Sequence, residues 1–183
     1  MVFNLKQQLI FYASYHREPR NIAIHLACVP ALLFTGFLFG TNTPSLRTPK
    51  FLSSLRLPLN LGTLASLTYT TLYLLLSPNL AGATLVPILL SLSALGNTLT
   101  SRYNRARVNG VAVGVHVVSW VMQFIGHGRF EGRRPALMDN LVQALFLAPL
   151  FVWYEVLFRL GFYGELRREV EEGVEREVKR RGE

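Results

Sequence analysis

The sequence predicts an all-α, polytopic transmembrane bundle of about five spans, with an amphipathic helix before them and a charged helix after them. Three observations predict it. Half of the 183 residues are hydrophobic and only 16% are charged, against about 25% charged in an ordinary soluble domain. The charges are crowded into short segments between long apolar runs. Several of those runs are long enough to cross about 30 Å of hydrocarbon. The length is that of one domain, so residues 1–163 are expected to form a single membrane-embedded domain and 164–183 a charged C-terminal tail helix.

Residues 2–15 mix Phe3, Leu5, Leu9, Phe11 and Tyr12 with Lys6, Gln7 and Gln8, the composition of an interfacial helix. Pro19, in HREPRN (16–21), turns the chain. The stretch 22–40 holds no Lys, Arg, Asp or Glu and reads as the first span, with Pro30 a candidate kink. Residues 41–60 read as a linker or peripheral excursion. Two apolar stretches, 61–76 and 80–99, are separated by Ser77-Pro78-Asn79, a tight helical hairpin. A basic loop (100–110) precedes the fourth stretch, 111–125. A polar interruption with three glycines (126–140) precedes the fifth, 141–160, which carries one acid, Glu155. In the tail, Val170, Val174 and Val178 recur every four residues, which suggests a surface helix, solvated or lying among headgroups.

The net charge is +8 and the isoelectric point about 10.1. The basic residues sit in loops and the tail, with no basic, aromatic-studded sheet or recognition helix. They are expected to meet anionic lipid headgroups rather than nucleic acid. One cysteine, Cys28, allows no internal disulfide. Residues 1–16 show no signal-peptide pattern. With five spans, the positive-inside rule puts loops 41–60 and 100–110 and the tail in the cytosol. A re-entrant first or fourth segment reverses that orientation.

The four histidines, His16, His25, His116 and His127, all lie in or beside apolar stretches. One alone is ordinarily a packing residue, but ionisable groups in spans are costly and mark function. Four imidazoles in a low-dielectric site suit Fe, Zn or Cu. On an unbroken helix His16 and His25 point about 180° apart, so they converge only if Pro19 bends the chain. His116 and His127 share a face but lie about 16 Å apart along a straight axis, so either the helix breaks near Gly126 and Gly128 or they do different jobs. His116, Trp120, Gln123 and His127 form one stripe, which Glu131 extends. With five spans, His16, His25 and His127 meet near one interface, with Glu18, Asn21, Gln123, Glu131 and Asn140 close by and His116 deeper. Glu131 or Glu18 would complete a two-His-one-carboxylate set, or would pair with Arg133, Arg129 or Arg17. Glu155 needs a partner, a histidine's second nitrogen or Arg159.

HREPRNIAIHLACVP (16–30) and WVMQFIGHGRFEGRRPALMDNLVQALFLAPLFVWYEVLF (120–158) resemble the yeast-type 2-hydroxy fatty acid dioxygenases. That family's pattern is His-Arg-x-Pro-x-Asn-x-x-x-His, then Gln-Phe-x-Gly-His-x-x-Phe-Glu-x-Arg-x-Pro-Ala-Leu, and both blocks match residue by residue. The similarity covers about residues 5–160. Only the loop at 41–60 and the tail after 163 are individual.

The resemblance implies an Fe(II)-dependent dioxygenase of the endoplasmic reticulum membrane, with residues 1–163 as the catalytic domain. It would use O₂ to convert a long-chain 2-hydroxy fatty acid, as formed in phytosphingosine degradation, to the acid one carbon shorter (α-oxidation). It carries the metal-binding role onto His16, His25, His116 and His127. Arg17, Arg20, Gln123, Arg129 and Arg133 are expected to hold substrate, and Asn21, Glu131, Asn140 and Glu155 to support the ligands. Two competing functions remain: a bis-histidine haem b electron carrier and a non-enzymatic lipid-binding membrane protein. The sequence does not reveal the oligomeric state.

Overall fold

In the computed structural model of the protein, the structure describes residues 4–132 and 141–181. Among them are eight α-helices, one π-helical turn and no strand: α1 (Leu5–Tyr15), α2 (Pro19–Gly40), α3 (Lys50–Ser54), α4 (Leu61–Leu76), α5 (Leu80–Arg102), α6 (Arg105–Ile125), the π turn (Gly126–Glu131), α7 (Leu141–Arg159) and α8 (Gly164–Arg181).

Local chemistry sets most of the starts. The Asn4 side chain accepts the Gln7 N–H at the head of α1, and Asn60 accepts that of Thr63 for α4. Asn79 accepts from both Ala81 and Gly82 at the start of α5. Asparagine is favoured there because its oxygen satisfies N–H groups that have no partner within the helix. Pro19 opens α2, where its missing N–H costs nothing.

Among the described residues, three helices are long and apolar enough to cross a membrane: α2, α5, and α6 with its π turn, Arg105–Glu131. A fourth arises only if Leu145–Arg159 and Gly164–Arg180, bent by 117°, form one broken span. Among the described residues, three or four helices thus qualify, where five spans are expected from the sequence. The stretch 61–76 is helical, but between Asn60 and Ser77 it has only 16 residues, about 24 Å of helix. The fifth stretch ends at a turn where Gly161 (φ 86°) and Tyr163 (φ 58°) take left-handed conformations.

The described chain divides into two compact units, one of residues 1–29 and 121–183, the other of 30–120. In the second, α4 and α5 pack as the hairpin expected at Ser77-Pro78-Asn79. A Cβ on Gly40 would collide with the backbone of Gly62, so the end of α2 touches the start of α4. A polar chain runs inside the pair: Asn60 Nδ2 donates to Asn97 Oδ1 (2.7 Å), and Asn97 Nδ2 donates to Thr63 Oγ1 (3.3 Å) and the Ser93 carbonyl (3.0 Å). Segment 41–60 is tied down rather than free. The Leu46 N–H donates to the Leu59 carbonyl at 3.0 Å, and Leu57 is buried.

In the first unit, α1 packs against α7 and α8. Leu9, Leu150, Tyr154, Val170 and Val178 are buried, and a Cβ on Gly173 would strike Ile10. The tail helix is therefore not wholly solvated: the valine stripe turns inward, while Arg167–Glu171 and Arg180–Glu177 pairs cover the outer face.

Candidate metal centre

Three of the four histidines converge. His16 caps the C-terminal end of α1, where its own N–H donates to the Ala13 carbonyl. Pro19 then starts a new helix, and His25 follows about two turns along it. His127 sits in the π turn. Such a turn inserts extra chain into a helix and re-aims the side chains that follow. All three are buried. Their ring centroids lie 4.5–5.0 Å apart at interplanar angles of 70–83°, and one ligand atom from each lies within 4.8 Å of the others.

Tautomers follow from partners. His16 Nδ1 lies 2.9 Å from the Tyr12 carbonyl and His25 Nδ1 2.9 Å from that of Asn21. A carbonyl only accepts, so both Nδ1 atoms carry the proton and both Nε2 atoms are bare. Those two Nε2 atoms face each other at 3.3 Å, and two lone pairs cannot bond without a cation between them. The Nδ1 of His127 is buried with no partner. Burial foremost, then the His25 ring, holds the His16 imidazole well below its usual pKa, which keeps it neutral as a ligand must be.

The donor set fits a metal. With metal–nitrogen bonds of about 2.1 Å, neighbouring ligands on one ion lie about 3.0–3.4 Å apart. The His16 and His25 Nε2 atoms have that spacing, and an ion held by three histidines would keep coordination positions for substrate. Haem fits poorly, because axial imidazoles stand on opposite faces of a macrocycle and these nitrogens face each other with no room for one.

Glu131 holds the group together. Its Oε1 accepts the Arg17 N–H (2.8 Å), and its Oε2 accepts the Glu18 N–H (3.1 Å) and Asn21 Nδ2 (3.0 Å). The carboxylate thus caps the start of α2, where the helix dipole also favours an anion. Asn21, wholly buried, works both ways: its carbonyl orients His25 while its amide grips Glu131. Gly126 lies against Asn21, and a Cβ there would overlap Oδ1.

The other expected residues scatter. His116 belongs to the second unit. Trp120 Nε1 donates to its Nε2 (3.1 Å), and its Nδ1 lies 2.7 Å from Thr35 Oγ1. Thr35 gives its own proton to the Ala31 carbonyl, so His116 Nδ1 is the donor. Gln123 Nε2 is buried without a partner. Arg17, Arg20 and Arg129 are exposed, with Arg20 lying over the Phe130 ring at 5.6 Å. Glu18 Oε1 is 3.5 Å from the Arg20 N–H. Glu155 pairs with Arg159 at 3.0 Å. Arg133 and Asn140 lie outside the described residues.

Beside His16 and His25 opens a small, mostly apolar cleft, lined also by Leu26, Phe151, Phe158 and Glu155. Tyr12 lies in its wall. Sequence reasoning passed over this residue as part of an interfacial helix, although its place four residues before His16 puts both on one helix face. Its ring stacks on His16 (3.8 Å between centroids) and on Phe151 (4.2 Å). Burial, then the Glu155 charge, pushes its phenol above the usual range.

A family model described as 2-hydroxy-palmitic acid dioxygenase Mpo1-like matches residues 2–160. The chain is 38% identical over 174 residues to the 2-hydroxy-palmitic acid dioxygenase MPO1 of Saccharomyces cerevisiae, which covers 95% of this chain and 91% of that relative. No solved structure matches.

Proposed function

The chain belongs to the 2-hydroxy-palmitic acid dioxygenase Mpo1-like family, and from that membership we propose that it is an Fe(II)-dependent dioxygenase that shortens long-chain 2-hydroxy fatty acids by one carbon. The observation that carries the reading is the pair of bare Nε2 atoms at 3.3 Å, with His127 completing a buried group of three. When bound, iron would supply the Lewis-acid and redox chemistry that acts on the 2-hydroxy acid and O₂.

The protein's own groups do the rest. His16, His25 and His127 hold the ion, and the carbonyls of Tyr12 and Asn21 lock the first two in the tautomer that offers Nε2. Glu131 fixes the π turn against the start of α2. The cleft receives the acyl chain and keeps water from the reacting end. Arg17, Arg20, Arg129 and Arg133 are assigned to the approach of the carboxylate and Gln123 to the head, while Asn140 keeps the ligand-supporting role that the resemblance implies. Glu155 lines the cleft. For His116 to ligate, it must give up the Trp120 bond, so it is assigned a supporting role in its own unit. The apolar helices support a membrane location. The endoplasmic reticulum and the degradation of phytosphingosine complete the proposal, on the family's account alone.

The test is incubation of the purified protein with Fe(II), O₂ and 2-hydroxyhexadecanoic acid. Pentadecanoic acid by mass spectrometry, with stoichiometric iron and no Soret band, is the expected result. Iron without product removes the enzyme reading and leaves a lipid-binding protein; a Soret band returns the haem reading.

A further inference from the structure

We propose that the Tyr12 hydroxyl is the donor that receives a head-group oxygen of the bound 2-hydroxy acid, in the cleft that Tyr12 lines together with His16 and His25. The inference rests on the dioxygenase reading and names how that site grips its substrate.

The Tyr12 ring has little freedom. It is stacked between His16, at 3.8 Å and 14°, and Phe151, at 4.2 Å and 19°. Yet the hydroxyl that this stack positions is buried with no hydrogen-bond partner. Burying an O–H without a partner costs free energy, and folded proteins avoid it unless something else fills the role. Phenylalanine would give the same stack without that cost, so the oxygen has a use the packing does not explain.

The surroundings say what the use is. Tyr12 lines the same cleft as His16 and His25, and most of the remaining wall is aliphatic or aromatic. A molecule placed there puts a polar head toward the histidines and an alkyl chain along the wall. A 2-hydroxy carboxylate carries three oxygens. If an ion on the histidines took two of them, the third would still need a donor. A neutral phenol supplies one proton donor without adding a buried charge. The one acid in the wall, Glu155, is paired with Arg159 at 3.0 Å, which offsets its repulsion of a second carboxylate.

The test is Tyr12→Phe, measured in three ways on the purified protein: bound iron, melting temperature, and affinity for 2-hydroxyhexadecanoic acid under anaerobic conditions, with kcat and KM taken separately in O₂. The expected result is unchanged iron, a melting temperature equal to or above wild type without substrate, and an affinity about tenfold weaker, the worth of one buried hydrogen bond to a charged acceptor. Wild-type affinity and KM in the variant overturn the proposal and leave the hydroxyl to a bound water. Loss of iron with loss of affinity also overturns it, because Tyr12 then acts only through His16. If wild-type protein binds the acid but makes no product, the dioxygenase reading falls while the anaerobic affinities still decide the role of Tyr12.

Discussion

His16 and His25 turn bare Nε2 atoms toward each other at 3.3 Å, and each has already given its Nδ1 proton to a main-chain carbonyl. Neither ring can rotate to relieve the opposition without abandoning that carbonyl. The fold therefore stores a local electrostatic penalty that only a cation removes, and a buried Nδ1 on His127 stands ready beside it.

The first prediction follows from that penalty. A metal that binds only the folded protein adds about 2.7 kcal/mol at a hundred times its Kd. For a chain of this length that is roughly 5–10 °C in melting temperature. Fe(II), or Co(II) as a redox-stable substitute, should raise the melting temperature of chelator-treated protein by that amount. His16→Ala, His25→Ala and His127→Ala should each abolish the rise, and His116→Ala should keep it. A rise that survives in any of the first three would remove that residue from the ligand set.

Gly126 and Gly128 give a paired test of how the π turn is seated. A Cβ at 126 overlaps Asn21 Oδ1, which cannot yield because the same side chain is wholly buried and grips Glu131. A Cβ at 128 meets nothing within 4 Å. Gly126→Ala is expected to cost about 1–3 kcal/mol and to weaken metal binding, while Gly128→Ala should leave both unchanged. Equal behaviour of the two variants in thermal melts would contradict this packing.

Several of these features were legible in the sequence and others were not. The apolar stretches showed themselves by their lack of charge, and α4 has the bounds read for it, but a stretch counted by its lack of charge alone looked like a span although its 16 residues are short for one. The Pro19 bend was readable, and it draws His16 and His25 together. The capping of α2 by Glu131 was not, because its partners are main-chain N–H groups more than a hundred residues away, and main-chain donors leave no mark in a sequence. Tyr12 was missed because it appears as one more aromatic in α1; only its tertiary surroundings reveal a hydroxyl without a partner. The valine stripe of α8 was visible, but Ile10, against which the helix rests, was not.

Glu131→Gln tests the clamp. Both carboxylate oxygens accept, three donors in all, whereas an amide offers one oxygen and sets its NH₂ against the remaining donors. The expected cost is about 1–3 kcal/mol of stability and a 10–100-fold loss of metal affinity, although Glu131 is not itself placed as a ligand. Metal titration of the variant at wild-type affinity would show that the carboxylate is dispensable.

The last prediction concerns α8, whose two kinds of contact should differ sharply in weight. Lys6 and Glu169 pair at 3.0 Å, but both are more than 40% exposed, and such pairs contribute little. Lys6→Ala should change stability by less than about 0.5 kcal/mol. Val170 is buried and also lines the cleft. Val170→Asp places an unpaired charge in an apolar wall and should cost about 3 kcal/mol or more, with a raised KM for long-chain substrate where the protein still folds. If both variants melt and turn over like wild type, α8 is a passive tail, and the cleft is closed by something other than this helix.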